Sequence, residues 1–186
     1  MTEARQRADR SDGDPAKRFE AIYSEHAGAV LAFVLRRASI DVAPDIVAET
    51  FVVTWRKLDE LPLNKALPWL YGTARRVLAN YRRSQRRRDA LVDRIASNTP
   101  ALPEWTETSQ ESPLLEALAS LPAAQQEVLM LAAWEGLDGR AASTALGCSP
   151  TAFRLRLFRA RRNLEKRLQT NGSLGSPSRR PSEKTC

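Results

Sequence analysis

The chain is poor in the residues that hold metals and crosslinks. It has one histidine, His26, and two cysteines, Cys148 and Cys186, in 186 residues. Two thiols cannot build a disulfide framework. So few imidazole and thiol ligands argue against a four-ligand zinc centre, and no metal site is expected. Sparse cysteine suits a reducing, cytoplasmic compartment. No apolar run approaches the roughly 20 residues that span a bilayer, so membrane insertion is not expected. The opening stretch MTEARQRADRSDGDPAKR lacks the apolar segment of a secretory signal. Alternating strand patterns and internal repeats are absent as well.

What the chain does have is charge of one sign. Lysine and arginine number 29 against 22 acidic residues, a formal charge of +7 and a pI near 10.0. That balance suits a polyanionic partner, either nucleic acid or an anionic surface.

Apolar residues recur at three- and four-residue spacing, which predicts an all-α fold. Residues 1–18 mix both charge signs with Gly and Pro and are expected to form a flexible arm. Residues 19–88 form a first helical domain. Pro44 and Asp45 open its second segment, APDIVAETFVVTWRKL, and Pro68 opens its third, PWLYGTARRVLANYRRSQRRR. Proline fits a first helical turn, where its missing N–H costs nothing. Residues 89–112 carry Asp89, Asp93, Glu104, Glu107 and Glu111 among Ser, Thr, Asn and Pro, and read as an extended acidic linker, helical at most at its start. Residues 113–168 form a second helical domain, and 169–186 a disordered tail. The expected architecture is therefore two small helical domains joined by an acidic linker.

In the second domain a short helix over about 138–145 leads into Leu146-Gly147-Cys148, then Ser149-Pro150 and a long helix. Gly147 suits a left-handed turn residue. Ser149 can cap the next helix and Pro150 can open it. That is the layout of a helix-turn-helix. At about 100° per residue, Phe153, Leu157, Ala160, Leu164 and Leu168 share one core-facing arc. Arg154, Arg156, Arg159, Arg161 and Arg162 lie around the rest, where arginine can grip guanine or phosphate. Leu155 and Phe158 fall on the same outward side.

The first domain has a second basic block: Arg75, Arg76, Arg82, Arg83, Arg86, Arg87 and Arg88. Trp69, Tyr71 and Tyr81 precede or interleave with it. Cations that track a backbone and rings that stack on bases suit single-stranded nucleic acid, while a core role for Trp69 and Tyr71 stays open. Asp45 and Glu49, four apart, share a helix face. With no nucleophile, histidine or phosphate-binding glycine loop beside them, they suit docking to a basic protein better than catalysis. No catalytic residue and no cofactor is expected.

These segments also carry a family resemblance. APDIVAETFVVTWRKL resembles region 2.2 of bacterial RNA polymerase sigma factors, and WLYGTARRVLANYRR is similar to region 2.3–2.4. LPAAQQEVLMLAAWEGLDGRAASTALGCSPTAFRLRLFRARRNL is similar to region 4. Order and spacing match the extracytoplasmic-function (ECF) subfamily over about residues 15–168. The resemblance implies a promoter-specificity subunit and no enzyme. It implies that Asp45, Glu49, Phe51 and Arg56 dock on the β′ clamp helices of core RNA polymerase, and that Val128 and Leu131 help dock the β flap. Asn64, Lys65, Trp69, Arg75, Arg76, Asn80 and Arg83 would hold the melted -10 element. Ser149, Thr151, Arg154, Arg156 and Arg159 would read the -35 element in promoter DNA. The linker would thread a basic polymerase channel, and an anti-sigma factor would be the regulatory partner. The chain departs from the usual pattern at Ala48, where Gln is common, and at Arg76 and Asn80, where Asn and Asp are frequent. Gly139, Arg140, Ser143, Leu155 and Phe158 also depart from it. Two other readings stand beside this one: a helix-turn-helix regulator acting without core polymerase, and a basic helical adaptor.

Overall fold

A computed structural model describes residues 14–62, 65–93 and 112–173. Among these are seven α-helices and no strand, in keeping with the all-α expectation. They are α1 (Pro15–Leu35), α2 (Ala43–Arg56), α3 (Ala66–Asp93), α4 (Pro113–Ala119), α5 (Ala123–Ala133), α6 (Gly139–Leu146) and α7 (Pro150–Ser173). A 3₁₀ turn, Leu58–Glu60, follows α2.

The ends of several helices are written in local chemistry. Asp14 caps α1 by accepting from the Ala16 N–H at 3.0 Å, with Pro15 in the first turn. This cap places the start of α1 inside the segment expected to be a flexible arm. Asp45 and Arg56 stand in the first and last turns of α2, each at the end whose dipole favours its charge. Helix α3 continues through Asp93, past the boundary expected at 88, because no proline or glycine interrupts it there. Helix α7 likewise runs to Ser173, past 168, with its first glycine at Gly172. The remainder of the acidic linker and of the tail lies outside the described residues.

Helix α3 lies against α1 and α2 through Leu70, Tyr71, Ala74 and Leu78, all buried. Their spacing of one, three and four puts them on one stripe. Thr50 and Thr54 are fully buried on α2. Their hydroxyls donate to the carbonyls of Ile46 and Thr50 at 2.7 and 2.8 Å, which removes the cost of burying them unpaired.

The two halves do not form separate cores. Val128, Leu131, Ala142, Ala145 and Phe153 belong to the same buried cluster as Ile22, Phe33, Leu70 and Leu78. Among the described residues only a smaller cluster, Leu118, Leu121, Leu129 and Ala160, is internal to the second half. The second half therefore packs directly on the first.

Near this junction Tyr71 stacks on Phe33, ring centroids 4.5 Å apart at 15°. Burial, and secondarily the Glu135 carboxylate, hold the Tyr71 phenol above its ordinary value of 10.0. As pH rises past about 10, an unfolded chain ionises this phenol first, so the fold loses stability through the raised folded value. Urea midpoints across that range should fall more steeply for the wild type than for Tyr71→Phe.

Gly147 ends α6 with φ 63° and ψ 41°, and nothing lies within 4 Å of a Cβ built there. Gly147→Ala should therefore meet only the backbone penalty of the left-handed conformation, about 1–2 kcal/mol. Gly147→Asn should lose less, as read in the thermal midpoint.

Candidate nucleic-acid interfaces

Helices α6 and α7 make the expected helix-turn-helix. Asp138 caps α6, its carboxylate accepting from the N–H groups of Arg140 and Ala141 at 2.9 and 2.7 Å. Gly147 turns the chain, and the Cys148 N–H returns to the Ser143 carbonyl at 3.0 Å. Ser149 then caps α7, its Oγ accepting from the Ala152 N–H at 3.1 Å. Ala142, Ser143 and Ala145 are small and buried, which lets α6 seat closely. Cys148 is half-buried and packs against the shared core.

On α7, Phe153 and Ala160 are buried and Leu157 and Leu164 partly so, as the helical arc predicted. Ser149, Thr151, Arg154, Arg156 and Arg159 are all exposed. Among the described residues none of these arginines forms an ion pair. Leu155 and Phe158 stand among them, 49% and 63% exposed. The face opposite the core is thus a basic surface with an apolar centre.

Helix α3 carries the second basic surface. Arg76, Asn80 and Arg83 are exposed on it, and Lys65 is exposed just before it; Asn64 lies outside the described residues. The Arg76 Nε donates to the Gly72 carbonyl at 2.9 Å. Trp69 is half-buried against the core. Tyr71 is buried, so the core reading applies to it and base stacking does not.

Arg75 is engaged inside the molecule. Its Nη1 donates to the Ala145 carbonyl at 2.9 Å, and its Nε lies 3.3 Å from a Glu127 carboxylate oxygen. Burial lowers its pKa, an effect that Glu127 opposes. Arg82 is lowered for the same reason and donates to the Arg37 carbonyl at 2.7 Å.

On α2, Asp45, Glu49, Val52 and Arg56 are exposed and recur at four, three and four residues, which makes one stripe. Phe51 is buried behind it. It meets Tyr23 edge-on at 4.8 Å, while Phe19 meets Trp55 at 5.2 Å. Tyr23 and Trp55 remain half-exposed, so the charged stripe is bordered by an aromatic patch. Sequence reasoning missed this patch, although the i, i+4 spacings of Phe19/Tyr23 and Phe51/Trp55 put each pair on one face of its helix. Val128 and Leu131 are buried in the shared core, so in this arrangement neither offers a docking surface. No group of three or more potential metal ligands occurs among the described residues, and no helix there is long and apolar enough to cross a membrane.

A helix-turn-helix and a separate exposed basic helix in one chain are what a nucleic-acid-binding protein presents. The Sigma-70 region 2 family model matches residues 22–88, and the Sigma-70, region 4 model matches residues 112–164. The chain is 30% identical to the RNA polymerase sigma factor CarQ of Myxococcus xanthus, over 81% of this chain and 88% of CarQ. It is 29% identical to the ECF RNA polymerase sigma factor SigL of Mycobacterium tuberculosis, over 82% of this chain and 89% of SigL. Among solved structures, the sigma factor RpoE of Bartonella quintana, in complex with the anti-sigma factor NepR, shares the fold. The TM-score is 0.56 at 23% identity, covering 82% of this chain and 98% of that one. The chain belongs to the RNA polymerase sigma factors, in the ECF subfamily. It is a promoter-specificity subunit of RNA polymerase.

Proposed function

We propose that the chain acts in the cytoplasm, without catalysis of its own, by docking on core RNA polymerase and holding promoter DNA at two places. The observation that carries this reading is the pair of exposed basic surfaces, on α3 and on α7, beside the charged and aromatic face of α2. Asp45, Glu49 and Arg56 meet the β′ clamp helices, with Phe51 holding the aromatic border in place. Val128 and Leu131 reach the β flap only after the second half leaves the first.

At the -10 element, Asn64, Lys65, Arg75, Arg76, Asn80 and Arg83 hold the unpaired strand, and Trp69 offers a ring to a flipped base. Such stacking contributes about 1–3 kcal/mol per base. At the -35 element, Ser149 and Thr151 contact the backbone or base edges at the start of α7. Arg154, Arg156 and Arg159 supply phosphate neutralisation and bidentate base contacts, the latter about 1–3 kcal/mol of discrimination each. The relative solved with NepR supports an anti-sigma factor as a further partner.

The test is transcription in vitro with core polymerase and fragmented genomic DNA from the source bacterium, with start sites sequenced. Starts that require the chain and share two upstream elements are expected. A pool with no chain-dependent start would falsify the reading.

On such a promoter, Arg154→Lys should weaken discrimination at one -35 position more than overall affinity, because the ammonium cannot form the bidentate fork. Arg156→Ala should weaken binding evenly across sequences and reduce the salt slope by about 1 if its contact is to phosphate. Holoenzyme titrations on mutated promoters at several salt concentrations measure both.

A further inference from the structure

The outward face of α7 has an apolar centre to which the -35 contacts give no role. At about 100° per residue, Thr151, Leu155 and Phe158 fall within an arc of about 60°, on the side opposite Phe153 and Ala160. Arg154 and Arg159 stand about 70° to either side of that stripe. The exposures agree with these angles. Leu155 is 49% and Phe158 63% exposed, while Phe153 and Ala160 are buried. The side chains that lie directly away from the core are thus a threonine, a leucine and a phenylalanine, with arginines along both sides.

Single exposed apolar residues are ordinary, but these two adjoin, one helical turn apart, in the middle of a basic face. The arginines beside them indicate what covers them. Among the described residues no carboxylate pairs with Arg154 or Arg159, so both are free to meet an anion. A DNA major groove is about 12 Å wide, and a helix with its side chains is about 10–12 Å across. A helix seated there sets its outermost stripe against the base edges and its flanks against the phosphate walls.

Thymine's C5-methyl is the apolar group on that edge of the bases. Cytosine and adenine each present an amino donor there, which a leucine or phenylalanine would bury without a partner. We propose that Leu155 and Phe158 select thymine: they cover C5-methyl groups at one or two positions of the -35 element, on either strand. Arg154 and Arg159 hold the adjoining phosphates and guanines, so they supply affinity and register while the apolar pair supplies base identity. This rests on the sigma-factor reading for the site and adds the base that the site selects.

The test uses holoenzyme, made from core polymerase and the full chain, on a promoter found by chain-dependent transcription. Each thymine of the -35 element is replaced in turn by deoxyuridine, which pairs as thymine does but lacks the methyl group. At one or two positions affinity should fall about threefold to fivefold, the effect of one lost methyl contact. Leu155→Ala and Phe158→Ala leave every charge in place, and circular dichroism identifies folded variants. Each should bind the unmodified promoter more weakly by a similar factor and lose the deoxyuridine penalty at one of those positions. Deoxyuridine in the -10 element should affect variants and wild type alike. A -35 element without an A·T pair, deoxyuridine tolerated at every -35 position, or variants as sensitive as the wild type would overturn the proposal. Variants that hold the promoter normally but bind core polymerase more weakly would overturn it too, and would assign the patch to a protein contact. A chain that directs no start at all fails at the sigma-factor reading, and the proposal falls with it. Chain-dependent starts that ignore the methyl group reject the proposal alone.

Discussion

The contact between Arg37 and Glu135 organises the junction of the two halves. Burying either charge alone would cost several kcal/mol, so each side chain needs the other in place. Arg37 is surrounded to suit. It donates to the Phe33 carbonyl at 2.9 Å as well as to Glu127 and Glu135, and its guanidinium lies 3.6 Å from the Phe33 ring centroid. Phe33 in turn stacks on Tyr71 of α3. The ion pair, the ring stack and the apolar cluster form one continuous unit from α1 through α3 to α5. A buried ion pair is a poor source of net stability compared with apolar packing of the same volume. Its use here fixes which way α5 and α6 sit on α3.

Much of this architecture is legible in the amino-acid sequence. The helix-turn-helix follows from Gly147, Ser149 and Pro150, because turn and cap chemistry is local to a few residues. The core stripe of α7 follows from helical periodicity. Helix ends are less legible where the signal is subtle: Asp14-Pro15 is a good cap, but it stands in a stretch whose mixed charge suggests an arm. The extensions of α3 and α7 come from the absence of stop signals, which is harder to weigh than their presence.

The candidate interfaces divide in the same way. Exposure of Arg154, Arg156 and Arg159 follows from the angle each makes with Phe153. The fates of Arg75, Val128 and Leu131 do not, because they depend on contacts between residues distant in the chain, such as Arg75 with Ala145. A basic side chain next to Arg76 looks like another nucleic-acid contact. Only the packing of α6 on α3 shows that it already has a partner. Glu127 and Glu135 give no sign of their role, since acidic residues on a helix or just after it are ordinary surface features. Gly72, where a Cβ would stand 3.1 Å from the Ala145 carbonyl oxygen, gives a faint one, as a glycine within an otherwise strong helix.

The apolar part of the junction sets what its charges have to do. Val128, Leu131, Ala145 and Phe153 are buried together with Leu70 and Tyr71, and burial of such surface contributes about 25 cal/mol per Å². The arginine–glutamate group adds little beside that, so the apolar cluster supplies the stability of the union and the ion pairs specify how the two halves seat.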